Sequence, residues 1–367
     1  MTDEIVSNIT PEDLRPLVSK IVAGERITTD EGLTLYHKAP LALLGVFATR
    51  IKEEKSGNAV FYNRNFHIEP TNICTFNCKF CSYRRPADAP DAWRWSMDEM
   101  LEQVARYQGS GVTEVHIVGG VDPLYDLHYY VDMIRRIKKL LPQVTVKAFS
   151  AVELDYMIEK AGLSLSDGLK LLKEAGMETM PGGGAEIFDE QIRAKICGEK
   201  SSSERWLEIH RTAHRLGMPT NATMLYGHIE SPEHRIDHLD RLRKLQDETG
   251  GFNAFIPLKY RNLHNSMSEI GEVAVTDDLR TLAISRIFLD NFPHLKAYWP
   301  MYGKETTQLA LAFGADDIDG TIDDTTKIYS MAGAEDKKPV MTVREMRRMI
   351  EESGYEPVER DSFYRPK

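Results

Sequence analysis

The chain has 367 residues, 42% hydrophobic and 28% charged, the composition of a soluble globular protein with room for one large domain or two ordinary ones. Its net charge of −10 argues against a nucleic-acid surface, and no uninterrupted apolar stretch approaches the ~18 residues of a membrane span. The start, Met1-Thr-Asp-Glu-Ile-Val6, has no basic region followed by an apolar run, so no signal peptide is read. Free thiols without an export signal place the expected protein in a reducing cytoplasm, with no nucleic-acid and no membrane partner.

Residues 1–56 read as helices. Pro11–Val22 follows Thr10 as an N-cap, and Thr29–Tyr36 and Pro40–Ala48 come next. From Ala59 short strands and helices alternate. Ala59–Ile68 is a strand. Ser96-Met-Asp-Glu99 is a capping box opening a helix to about Gly109. Thr113–Val118 is the second strand, ending in Gly119-Gly-Val-Asp-Pro123, and a helix follows over Leu127–Leu140. Val144–Phe149 is the third strand, ending in Ser150-Ala-Val-Glu153, with two helical pieces up to Ala175. Glu178–Met180 is the fourth, ending in Pro181-Gly-Gly-Gly-Ala-Glu186, with helices over Asp189–Ile196 and Ser203–Leu216. Thr220–Met224, Asn253–Ile256 and Leu295–Trp299 are the fifth to seventh strands, separated by helices over Pro232–Glu248 and Thr276–Asn291. A helix over Glu305–Phe313, a short eighth strand near Ala315–Asp319, and a helix from the capping box Thr342-Val-Arg-Glu345 to Ser353 complete the chain.

Such alternation implies βαβ units and a parallel sheet. Up to eight units over roughly 260 residues match a closed (β/α)8 TIM-type barrel, which typically takes about 250; a partial barrel of six units is the alternative. The expected organisation is an N-terminal helical extension (1–56), the barrel (57–330) and a C-terminal helical extension packed on it (331–367).

Three of the four cysteines lie in Cys74-Thr-Phe-Asn-Cys78-Lys-Phe-Cys81, spaced C-x3-C-x2-C. Clustered thiolates select iron–sulfur clusters, zinc or copper(I). A closed structural zinc site takes four ligands, commonly as two pairs, and no second pair follows; a knuckle completed by a histidine is the zinc alternative. Three thiolates on a 4Fe–4S cluster leave one iron open to a small molecule. The other unusual segments fall at strand C-termini, where barrel enzymes do their chemistry. Gly119-Gly120 permits close backbone approach or a tight turn. Ser150 and Glu153 form a capping box, so Glu153 is either helix punctuation or a ligand. Glu186 ends a loop of almost bare backbone, where a carboxylate suits a ribose hydroxyl or stands solvated in a turn. His228 is a hydrogen-bonded core histidine or a catalytic one.

The cysteine loop, with Phe80 before its last cysteine, resembles that of the radical S-adenosylmethionine (SAM) superfamily. The resemblance implies a 4Fe–4S cluster on Cys74, Cys78 and Cys81 and SAM as cosubstrate. It implies that Gly119 and Gly120 hold the amino group of SAM, and that Gly227 and Glu230 stand on its adenine side. Within the superfamily, Phe66–Cys74, Gly182–Phe188, Asn221–His228 and Leu245–Phe252 look like the aminofutalosine synthases. Ile68-Glu-Pro-Thr-Asn72 favours that family over cyclic dehypoxanthine futalosine synthase, the hydrogen-abstracting alternative. The implied reaction adds the 5′-deoxyadenosyl radical to 3-[(1-carboxyvinyl)oxy]benzoate, with loss of carbon dioxide or bicarbonate, in menaquinone biosynthesis. The electron would come from an external donor such as flavodoxin or ferredoxin. A dicarboxylate calls for cationic or hydrogen-bonding groups, and the candidates are His67, Asn72, Arg84, Arg85, His228, Arg235, Arg261 and His264.

Overall fold

The structure is a computed structural model describing residues 10–367; residues 1–9, on which the absence of a signal peptide was read, lie outside it. The strands are β1 (Ala59–Ile68), β2 (Glu114–Ile117), β3 (Thr145–Ala148), β4 (Met177–Thr179), β5 (Thr220–Tyr226), β6 (Phe252–Lys259), β7 (His294–Leu295), β8 (Asp317–Ile322) and β9 (Glu356–Glu359). They pair in parallel, as β4-β3-β2-β1-β8 and as β5-β6-β7. Single parallel bridges, Met180 to Thr220 and Lys296 to Asp317, join the two sheets at both seams. The eight strands therefore close into the TIM-type barrel, and the six-unit alternative is set aside.

Local signals set most of the elements. The boxes at Ser96 and Thr342 have both halves formed, side chain to N3 amide and Glu to N-cap amide. The helix Leu127–Leu140 buries Leu127, Tyr130, Val131, Ile134 and Ile137, one stripe at helical spacing. Gly250, at φ 60°, ends the helix Pro232–Thr249 in the left-handed conformation that glycine adopts without penalty. Helices Thr29–Lys38 and Leu41–Ser56 cover the barrel beside the helix Val275–Phe288.

Four expectations are corrected. Thr10 is not an N-cap: Pro11 holds extended backbone, residues Glu12–Leu14 make a 3-10 turn, and the α-helix starts at Arg15. Pro16 sits in its first turn, where a missing N–H breaks no hydrogen bond. The helix from Ser96 ends at Ala105, short of Gly109. The seventh strand is only His294–Leu295, because Trp299 opens a short helix with Pro300 at its head. The C-terminal segment is not purely helical: after the helix Val343–Glu352, β9 pairs with the first half of β1, from Ala59 to Tyr62. Arg360 fixes that end of the chain by a buried ion pair with Asp317, 2.5 Å away.

Candidate active site

The cysteine loop leaves β1 at the barrel mouth. All four cysteines are free thiols. Within the loop Cys81 N donates to Cys78 O (3.1 Å), and Cys74 N to Arg85 O (3.2 Å). Burial pushes the Cys78 thiol up to about 12 and also raises Cys74; bound iron reverses this, since a coordinated thiol is deprotonated outright. Among the described residues no three His, Cys, Asp or Glu side chains are gathered tightly enough for a single metal ion. The donor set nevertheless fits an iron–sulfur cluster, which takes each thiolate at its own iron. Cys197, remote in sequence, is not remote in space. It is buried at the end of the helix Glu190–Cys197, whose Ile196 O accepts from Lys79 N (2.8 Å). Asn77 N donates to Glu199 Oε2 (2.7 Å), so the turn after that helix clasps the cysteine loop.

The structure gives the glycine pair a reason the sequence did not. A Cβ on Gly120 would lie 2.2 Å from Ile73 O, and one on Gly119 2.9 Å from Thr71 O. The bare backbone is needed to pack against the cysteine loop itself. Gly120 N donates to Thr71 O (2.8 Å) and Gly119 N to Glu153 Oε1 (3.1 Å). Glu153 also accepts from Ser150 N (2.7 Å) and Ser150 Oγ (2.6 Å), so it both caps its helix and ties the loops after β2 and β3 together. Burial pushes its carboxyl up to about 7.

Glu186 is not a solvated turn residue. It is buried at φ 48° and takes a hydrogen bond from Lys200 Nζ (2.6 Å), whose ammonium also lies 5.2 Å from the Phe80 ring centre. Glu230, by contrast, is spent on its own turn. It accepts from Gly227 N (2.6 Å), His228 N (2.8 Å) and Arg235 Nε (2.7 Å).

Several residues expected to contact substrate have partners within the protein. Arg235 is buried against Glu230, Asp277 and Tyr36. His228 hydrogen-bonds Leu225 O as a core histidine, and burial lowers its pKa. Arg261 binds Gly333 O and Glu272. Asn72 holds Asp91 O and Trp93 N. Arg85 pairs with Asp91, Arg84 reaches Cys74 O, and His264 is exposed.

His67 alone of that set lines the cavity in the barrel axis. The sequence reading missed its companions His116, Lys147 and Lys296. His67, His116 and Lys147 are register partners across β1, β2 and β3 and form one row. Lys147 pairs with Glu114 (2.5 Å), and Lys296 with Asp319. Burial would raise Glu114, but Lys147, Lys296 and Arg360 outweigh it and hold the carboxyl down at about 2. Burial pushes His67 down to about 4. The upper walls are Gly182, Gly183, Tyr298 and Tyr329. The segment after β8 covers one side: Glu69 accepts from Thr326 Oγ1 (2.6 Å) and Lys327 N (3.0 Å), and Thr325 Oγ1 accepts from His67 N (2.7 Å).

Comparison with known proteins agrees with this geometry. Residues 68–242 match the radical SAM superfamily, and residues 249–367 match the CofH/MqnC C-terminal region. An aminodeoxyfutalosine synthase of Thermus thermophilus is 45% identical over 356 residues, 96% of this chain and 95% of that one. A cyclic dehypoxanthine futalosine synthase of Streptomyces coelicolor is 35% identical, covering 96% of this chain and 88% of its own. Among solved structures, methylornithine synthase superposes with a TM-score of 0.74 over 92% of this chain and 96% of its own, at 18% identity, which is a likeness of fold.

Proposed function

Because this chain belongs to the radical SAM superfamily, in the branch that carries the CofH/MqnC C-terminal region, we propose that it is an aminodeoxyfutalosine synthase of menaquinone biosynthesis. It joins the 5′-deoxyadenosyl group of SAM to the vinyl carbon of 3-[(1-carboxyvinyl)oxy]benzoate. Methionine leaves SAM, one carboxyl leaves as carbon dioxide or bicarbonate, and the product is 6-amino-6-deoxyfutalosine. The nearly full-length likeness to an enzyme of that name carries the reading.

When bound, the 4Fe–4S cluster supplies the one-electron reduction that cleaves SAM to methionine and the 5′-deoxyadenosyl radical. Everything else falls to the chain: to bind, orient and exclude water. Cys74, Cys78 and Cys81 hold the cluster. Glu186, fixed by Lys200, is a preset acceptor for a ribose hydroxyl. The cavity below it, bordered by His67 and closed by the segment bearing Tyr329, receives the benzoate. Reaction needs the 5′ carbon and the vinyl carbon at about 3–3.5 Å, so both ligands must be clamped. A soluble one-electron donor such as flavodoxin or ferredoxin, in the cytoplasm, completes the assignment.

With substrate labelled at the vinyl carbon, SAM and dithionite under anaerobic conditions, mass spectrometry should find the label bonded to the adenosine 5′ carbon. Label retained in a product without adenine, with an equal amount of free 5′-deoxyadenosine, overturns the reading in favour of hydrogen abstraction.

A further inference from the structure

A barrel interior is ordinarily filled by layers of branched aliphatic side chains. Here the row from β1 to β3 is His67, His116 and Lys147, and Asp319 on β8, the neighbour of β1, and Lys296 just after β7 line the same cavity. The charges in this layer are already compensated, Lys147 by Glu114 at 2.5 Å and Lys296 by Asp319. The imidazoles are not. Neither ring nitrogen of His67 has a hydrogen-bond partner among the described residues, nor does Nε2 of His116. His67 is 4% exposed, and the two ring centres lie 4.6 Å apart, tilted by 52°. Buried polar groups without partners are rare, and each one calls for an explanation.

We propose that the His67–His116 pair receives the ring carboxylate of the substrate, an inference that rests on the function proposed above. The placement follows from the shape of the ligand and the cavity. The cavity runs from the imidazoles, past Ile256 and Leu258, to Gly182 and Gly183 beside Glu186. Ile256, Leu258, Tyr298 and Tyr329 offer apolar walls for an aromatic ring. The terminal vinyl carbon must lie at the SAM end, and the enolpyruvyl carboxylate, on the adjacent carbon, stays near it. The ring carboxylate is the polar group left for the deep layer. Uncharged, the buried His67 and the half-buried His116 each offer one N–H donor. Two donors from neighbouring strands meet the two oxygens of one carboxylate. Lys147 and Lys296 keep their own partners and need not move.

The test is a binding comparison on cluster-reconstituted enzyme without reductant, so that no turnover is read. The probes are 3-(1-carboxyethoxy)benzoate, a saturated analogue, and 2-phenoxypropanoate, which lacks only the ring carboxylate. Titration calorimetry of the wild type should find the first bound about tenfold to a hundredfold more tightly, the worth of hydrogen bonds to a charged group. In His67→Leu and His116→Leu that preference should fall to roughly threefold or less, with binding of 2-phenoxypropanoate retained. His116→Gln, which keeps an N–H donor, should restore most of it. If the leucine variants do not fold, His67→Asn and His116→Asn, too short to reach the ligand, carry the same comparison. A preference retained in every histidine variant overturns the pair as the carboxylate site and leaves the function standing. Failure of the wild type to bind 3-(1-carboxyethoxy)benzoate overturns both.

Discussion

Gly120→Ala separates two accounts of the glycine loop. If the glycine exists to let SAM approach, alanine should weaken SAM binding and spare the cluster. The structure argues otherwise. The added Cβ would lie 2.2 Å from Ile73 O, 2.7 Å from its carbonyl carbon and 3.1 Å from the Asn72 carbonyl carbon. All three are backbone atoms, with no side-chain rotamer to change. Ordinary contact begins at 3.4 Å, so the peptide must retreat by about 1.2 Å. Such overpacking typically costs about 1–3 kcal/mol. The peptide that moves carries the nitrogen of Cys74, which donates to Arg85 O, so the strain lands on a proposed cluster ligand. Anaerobic reconstitution of Gly120→Ala should leave most of the iron unbound, and the apoprotein should unfold at lower temperature than wild type. Gly183→Ala is the control, since its Cβ would meet only the Ser150 side chain, at 3.2 Å. Wild-type iron content and melting temperature in Gly120→Ala, with SAM affinity alone reduced, would refute the packing argument.

Two further outcomes are expected. Cys197→Ser should keep its iron while Cys78→Ser loses it, because Cys197 belongs to the helix that clasps the cysteine loop and not to the loop; equal iron loss in both variants would make Cys197 a ligand. Glu69 should give stability a pH slope. Burial pushes its carboxyl from 4.5 to about 7 against the hydrogen bonds from Thr326 and Lys327. The native chain therefore holds this proton more tightly than the unfolded chain. Its contribution is full below about pH 4.5, falls as pH rises, and is lost above about pH 7. Glu69→Gln should remove up to about 3 kcal/mol of that slope, read from urea unfolding at a series of pH values. Parallel curves for variant and wild type would show that Glu69 does not titrate in this window.

What was legible in the sequence was local. The strand Ala59–Ile68, the boxes at Ser96 and Thr342 and the helix Leu127–Leu140 are each written in neighbouring residues. The three-thiol loop is local too. β9 was missed because Glu356-Pro-Val-Glu359 is short, polar and interrupted by proline, and its pairing with β1 spans almost the whole chain. The polar row was missed for a similar reason. Each strand contributes one residue, His67, His116 or Lys147, and no spacing along the chain unites them. Conversely, the family resemblance pointed to Glu230 and the demand of a dicarboxylate for a cation pointed to Arg235, yet the two bind each other. Sequence shows that a charge is present but not whether it is already paired.

The loops that read as separate ligand motifs are one connected body. The cysteine loop holds the glycine loop through Thr75 N to Val121 O (2.9 Å) and Gly120 N to Thr71 O (2.8 Å). The glycine loop holds the third-strand loop through Glu153. The turn that presents Lys200 to Glu186 also grips the cysteine loop at Asn77 and Lys79. Glu186 and the cysteine loop, fixed by the same few residues, cannot move independently. The energetic consequence is preorganisation: ordering the cysteine loop around a cluster also positions Glu186, so less ordering remains when SAM binds. The connection between loops, more than any single carboxylate or glycine, is what the mouth of this barrel contributes to holding two small molecules in contact.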